Sequence, residues 1–161
     1  MIVYVDTSAL VKLHVSELGS ARVRVLGDEA SVLMTSLVTY AEARAAFARI
    51  HRLGGLTLNA LREVVAQFDH DWASRWQIVG IDDPLVRRAG ALAEHHGLRG
   101  YDAIQLATAL EARPRYGIFV FACFDDRLNR AAVREGLSLP PEPDLVAERP
   151  RGIEPRRRRA G

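Results

Sequence analysis

Apolar positions along the chain follow two rhythms. Four short runs are continuously apolar or β-branched, Ile2 to Val5, Ser31 to Thr35, Gln77 to Ile81 and Ile118 to Phe124, and these read as buried strands. Between them the apolar residues recur every three to four positions. This spacing predicts helices over Leu18 to Glu29, over Leu37 to Arg52 with Ser36 as N-cap and Gly54-Gly55 as terminator, and over a long segment from Thr57 to about Arg75 carrying Leu58, Leu61, Val64, Val65, Phe68 and Trp72. Asp82 or Asp83, with Pro84 in the first turn, opens another helix to His96 that Gly97 closes, and Tyr101 to Ala112 and Arg127 to Glu135 complete the set. Thr7, Ser8 and Ala9 read as the turn into a helix after the first strand. Strands that alternate with helices and carry no polar face indicate an α/β fold, a three-layer α/β/α domain with a central, mainly parallel sheet. In open sheets of this kind ligands bind beyond the carboxyl ends of the strands.

The 161 residues suffice for one domain with its own core, and 48% hydrophobic with 26% charged residues is ordinary globular composition. The longest uncharged stretch, Ala30 to Ala41, is far below the roughly 18 apolar residues of a membrane span, and Asp6 interrupts any signal-peptide pattern. Cys123 is the only cysteine, which excludes an internal disulfide and a Cys-rich zinc site and fits a reducing cytoplasm; within "GIFVFACF" it reads as a small core residue. The net charge of +2 hides an asymmetry. Residues 148–161 hold six Arg and two Glu, which leaves 16 basic against 18 acidic side chains on residues 1–147. The chain therefore divides into a domain over 1–139 and a Pro/Arg-rich tail over 140–161 with too few apolar residues to fold.

Four carboxylates stand in apolar company. Asp6 follows the first strand, Asp125 follows the last, Glu42 lies in "VTYAEARAAF", and Asp102 lies in the opening turn of "RGYDAIQLATAL". Each has a plainer reading: Asp6, Asp102 and Asp125 as helix caps, Glu42 as an exposed position on an amphipathic helix. Taken together, carboxylates converging on one crevice repel one another and raise each other's pKa unless cations neutralise them. Hard oxygen donors without a His or Cys cluster select Mg²⁺ or Mn²⁺, and one or two such ions activate water against a phosphoryl group. Metal-dependent phosphodiester hydrolysis is the chemistry that this set suits.

Four stretches, "YVDTSALVKL", "TSLVTYAEARAAF", "LRGYDAIQLATAL" and "FVFACFDDRLNRAAVREGL", in that order, make the chain resemble the PIN-domain ribonucleases, in particular the VapC-type toxins of toxin–antitoxin pairs. The resemblance places Asp6, Glu42, Asp102 and Asp125 on the acidic metal-site positions. Asp125 rather than Asp126 takes the last one, because the family runs strand, Asp, two variable residues and Leu; Asp126 becomes an auxiliary. Thr7 or Ser8 matches the hydroxyl that follows the first Asp. The resemblance further implies an RNA substrate, a homodimer and a cognate antitoxin that inserts a segment near the site; the absence of a long apolar stretch implies no membrane partner. One departure stands out: where the family often has Thr or Ser two residues before the last Asp, this chain has Cys123, a poorer hydrogen-bonding group.

Arg44, Arg99, Arg127 and Arg130 lie near these motifs and offer phosphate contacts, against a plainer reading as surface arginines. His14, His95 and His96 read as solvated surface residues, since the metal scheme needs no histidine. Two other functions compete. A haloacid-dehalogenase-type phosphatase would want a second Asp two residues after Asp6, where this chain has Ser8. A PIN-like module with weak or no catalysis, binding an antitoxin or RNA, would keep the fold without turnover.

Overall fold

A computed structural model describes residues 1–115 and 117–141. Its elements run β1 (Ile2–Val5), α1 (Thr7–His14), α2 (Ser20–Glu29), β2 (Val32–Ser36), α3 (Thr39–Arg52), α4 (Leu58–Ser74), β3 (Trp76–Val79), α5 (Asp83–His96), α6 (Gly100–Ala112), β4 (Phe119–Ala122) and α7 (Asp126–Arg134). The sheet order is β3-β2-β1-β4 and every pairing is parallel, with Val3 beside Leu33 on one side and Val120 on the other. Parallel strands require crossovers, and the helices supply them on both faces. Alternation along β1 divides the core. Tyr4 points into the layer with Leu85, Leu106, Phe121 and Leu128, from α5, α6, β4 and α7. Val3 and Val5 point into the layer with Leu10, Val23, Phe47 and Phe68, from α1 to α4. The expected three-layer α/β/α domain is the one observed.

Local chemistry sets most of the boundaries. Thr57 caps α4 by accepting from the Ala60 amide, Asp82 caps α5 by accepting from Leu85, and Gly97 closes α5 at a φ of 63°. Three expectations are corrected. Ser36 is not a helix cap: it pairs with Val79 at the end of β2, the Leu37 amide still bonds the Val79 carbonyl, and α3 starts at Thr39. The second helix begins at Ser20 rather than Leu18, because Gly19 turns the chain at a φ of 91° and Leu18 stays 95% exposed. A side chain at Gly19 would also collide with the Phe124 ring. Nor are His14 and His96 surface residues. Their side chains are 3% and 2% exposed, with Nε2 lying 3.1 Å from Asp71 Oδ2 and 2.7 Å from Glu135 Oε1 respectively; of the three, His95 alone is exposed.

Of the tail expected over 140–161, only Pro140 and Pro141 are among the described residues, and their carbonyls accept from Arg22 Nη2 at 3.0 and 2.8 Å. Among the described residues no helix is long and apolar enough to cross a membrane.

Candidate active site

All four carboxylates occupy the first turn or the cap of a helix. Asp6 is the N-cap of α1 and Asp125 the N-cap of α7, while Glu42 and Asp102 sit in the first turns of α3 and α6. The partial positive charge at a helix N-terminus favours an anion there, so the fold offsets part of the repulsion that such a cluster creates. The cap reading and the functional reading are thus compatible for Asp6 and Asp125. They are not for Asp102, since Arg99 holds the cap position of α6. Glu42 is half-buried rather than an exposed position on its helix.

Each structural hydrogen bond falls on one oxygen. Asp6 Oδ2 accepts from the Ser8 amide (3.1 Å), the Ser8 hydroxyl (2.7 Å) and the Cys123 thiol (3.4 Å). Glu42 Oε2 accepts from Thr7 Oγ1 (2.5 Å) and Gln105 Nε2 (2.9 Å), and Asp125 Oδ1 accepts from the Leu128 amide (2.8 Å). The second oxygen of each has no such bond among the described residues. Thr7 and Ser8 therefore both support acids, Thr7 at Glu42 and Ser8 at Asp6. Ser8 also accepts from the Phe124 amide at 2.9 Å, which ties the start of α1 to the turn that carries Asp125.

Electrostatics act on two of the acids. Burial raises the Asp6 carboxyl above its ordinary range, against the lowering effect of the Ser8 and Cys123 hydrogen bonds. Asp102 is raised first by burial and then by the negative charge of Asp125, with a further push from Glu42, while Arg99 pulls it down. Mutual repulsion of this kind is what cations relieve, and the free oxygens give an all-oxygen donor set suited to a hard divalent ion. As the side chains lie, no three His, Cys, Asp or Glu among the described residues stand close enough to hold one ion.

Cys123 packs against the core, but only in part. β4 ends at Ala122, so the thiol falls in the turn beyond the sheet, half-buried. Its sulfur accepts from the Asp125 amide at 3.2 Å and donates to Asp6. Burial and the adjacent Asp6 charge push the thiol's pKa upward, so it stays protonated and able to donate.

The arginines divide. Arg99 acts on Asp102 electrostatically, and Arg127 lies over Gly97 at the turn between α5 and α6. Arg44 is turned towards α4, bonding Tyr40 (2.8 Å) and Asp69 (3.4 Å), because two residues along a helix rotate a side chain by about 200° away from Glu42. Arg130 and Asp126 are exposed and line a groove of about 610 Å³ between α2 and α7 rather than the acids. Two contributors escaped the sequence reading, Gln105 and Tyr4, joined by a 2.8 Å hydrogen bond and both buried. Their only signal is a polar amide on the buried side of a largely apolar helix.

The family model of the PIN domain matches residues 3–134. The chain belongs to the PIN domain family. It is 36% identical over 140 residues to Ribonuclease VapC49 of Mycobacterium tuberculosis, which covers 87% of this chain and 95% of that protein. In fold it is similar to VapC20 of M. tuberculosis, described as a Sarcin-Ricin loop cleaving toxin (TM-score 0.60, 19% identity, 80% of this chain and 94% of that one). It is also similar to VapBC2 of Rickettsia felis, solved bound to a DNA fragment from the promoter (TM-score 0.58, 15% identity, 87% and 98%).

Proposed function

We propose that this protein is a metal-dependent endoribonuclease, the toxin of a type II toxin–antitoxin pair, in which Asp6, Glu42, Asp102 and Asp125 hold one or two Mg²⁺ or Mn²⁺ ions. The observation that carries the reading is that Asp6, Glu42, Asp102 and Asp125 all stand at helix N-termini, three of them on helices that follow β1, β2 and β4, with Asp102 in the field of both Asp125 and Glu42. Relatedness to a ribonuclease at 36% identity over nearly the whole of both chains supports it. Bound ions would lower the pKa of a water and neutralise charge on the phosphodiester.

The chain's own residues do the rest. Ser8 and Cys123 hold Asp6 in place, Thr7 holds Glu42, and the Leu128 amide holds Asp125, so the acids are oriented before substrate arrives. Arg99, beside Asp102, is placed to meet a backbone phosphate, with Arg127 at the neighbouring turn. The products are a 5′-phosphate and a 3′-hydroxyl. An antitoxin partner and a homodimeric assembly belong to the same proposal. The test is digestion of a cellular RNA pool with Mn²⁺ or EDTA followed by end mapping. Discrete metal-dependent fragments with 5′-phosphate ends support the reading, and cleavage unaffected by EDTA would falsify it.

A second reading, a PIN module that binds its partner without turnover, is favoured by the separation of the acids as they lie and by the thiol at Cys123. Folded protein that binds RNA or an antitoxin yet never cleaves would establish it.

A further inference from the structure

A buried polar chain runs from β1 to Glu42. Tyr4 and Gln105 are 0% and 1% exposed, and the Tyr4 hydroxyl donates to Gln105 Oε1 at 2.8 Å. The other end of the same amide faces three acceptors: Thr39 Oγ1 at 2.9 Å, Glu42 Oε2 at 2.9 Å and Thr7 Oγ1 at 3.0 Å. A carboxylate only accepts, so the nitrogen of the amide must face Glu42, and the phenol donates to the oxygen that remains. Reversing the amide would set an oxygen against Glu42 Oε2 inside a water-poor layer, which is costly.

The structure assigns Gln105 as a positioning residue for Glu42, with Tyr4 fixing which way its amide points; this rests on the metal-dependent nuclease reading. Glu42 has three side-chain torsions to order, and its α3 backbone alone does not order them. Thr7 and Gln105 fasten Oε2 from two directions and leave Oε1 as the oxygen available to a ligand. Gln105 touches neither a reacting atom nor an ion in this arrangement and works through Glu42. Groups that orient a ligating carboxylate typically matter to metal affinity by about 10- to 100-fold.

Mn²⁺ binding to the whole purified chain, measured by calorimetry or by the resonance of free Mn²⁺, tests this without reference to turnover. Gln105→Met, close in volume but without the amide, is expected to weaken binding about 10-fold or more. Gln105→Glu, which turns a carboxylate towards Glu42, weakens it at least as much. Tyr4→Phe keeps the ring against Phe119 and Phe121 and loses only the donor, so it shows a smaller loss in the same direction. In a Glu42→Ala background, adding Gln105→Met changes affinity by less than about 2-fold, because the pair acts as one unit; a fold defect would not vanish there. Wild-type affinity in both Gln105→Met and Tyr4→Phe overturns the assignment. A wild-type protein that binds no Mn²⁺ overturns the nuclease reading itself, and the assignment with it.

Discussion

The Cys123 thiol lies 3.4 Å from Asp6 Oδ2, so the ends of the two neighbouring strands β1 and β4 are joined through sulfur. The same sulfur accepts the Asp125 amide, which makes it a bridge between the first and last acids of the chain. Replacing Cys123 with Ala removes both bonds and is expected to lower kcat by about 10-fold while KM for RNA changes little. Cys123→Ser restores a stronger hydrogen-bonding group and retains or exceeds wild-type turnover. Steady-state kinetics on the two variants check this; an Ala variant with full activity would show that the bridge has no part in catalysis.

The raised carboxyl of Asp102 is expected to cost stability at neutral pH. A carboxyl whose folded pKa lies above its unfolded value binds more protons folded than unfolded between the two values, so stability falls as pH rises through that window. Asp102→Asn is therefore expected to unfold at higher urea than wild type at pH 7 without added metal. The difference should fade as pH falls towards the unfolded carboxyl value of 3.8. Equal midpoints at pH 7 would mean that the repulsion from Asp125 and Glu42 is relieved some other way.

Divalent metal should reverse that penalty. A ligand present at about 100 times its Kd stabilises by roughly 2.7 kcal/mol, which for a chain of this size raises Tm by about 5 to 11 °C. Thermal unfolding with Mn²⁺ is expected to show such a shift for wild type and to lose most of it in Asp6→Asn and Asp102→Asn. A shift of equal size in all three proteins would place the ion elsewhere.

Phe68 is the one fully buried residue of α4, and its ring meets His14, Tyr40, Phe47 and Trp72 at centroid distances of 5.3 to 5.6 Å. That cluster fastens α4 to α1 and α3, the helices that bear Thr7 and Glu42. Phe68→Ala should destabilise by about 3 to 5 kcal/mol, read from urea unfolding. A loss below about 1 kcal/mol would mean that the rings close over the cavity.

The alternation of strands and helices is legible in the sequence because it depends on local signals. β-branched runs, the Thr57 and Asp82 caps and the Gly97 stop each act within a few residues. The errors arose where a partner distant in sequence decides the outcome. Ser36 has the chemistry of a cap, but the Val79 carbonyl holds the next amide in strand geometry. His14 and His96 are polar in sequence and buried in the fold, because Asp71 and Glu135 arrive from other helices. Gln105 gets its role from partners far off in sequence, Tyr4, Thr7, Thr39 and Glu42. The apolar neighbours of Cys123 account for its packing against the core, while its bonds to Asp6 and Asp125 are set by where β4 stops.

If the four acids cleave RNA through a divalent ion, cleavage needs both the ion and Asp102. The most direct measurement is digestion of one mixed RNA pool by wild type and by Asp102→Asn, each shown to be folded and free of antitoxin, with Mn²⁺ and with EDTA. Discrete fragments are expected from wild type with Mn²⁺ and none from the other three reactions. Equal cleavage by Asp102→Asn, or by wild type in EDTA, would contradict it.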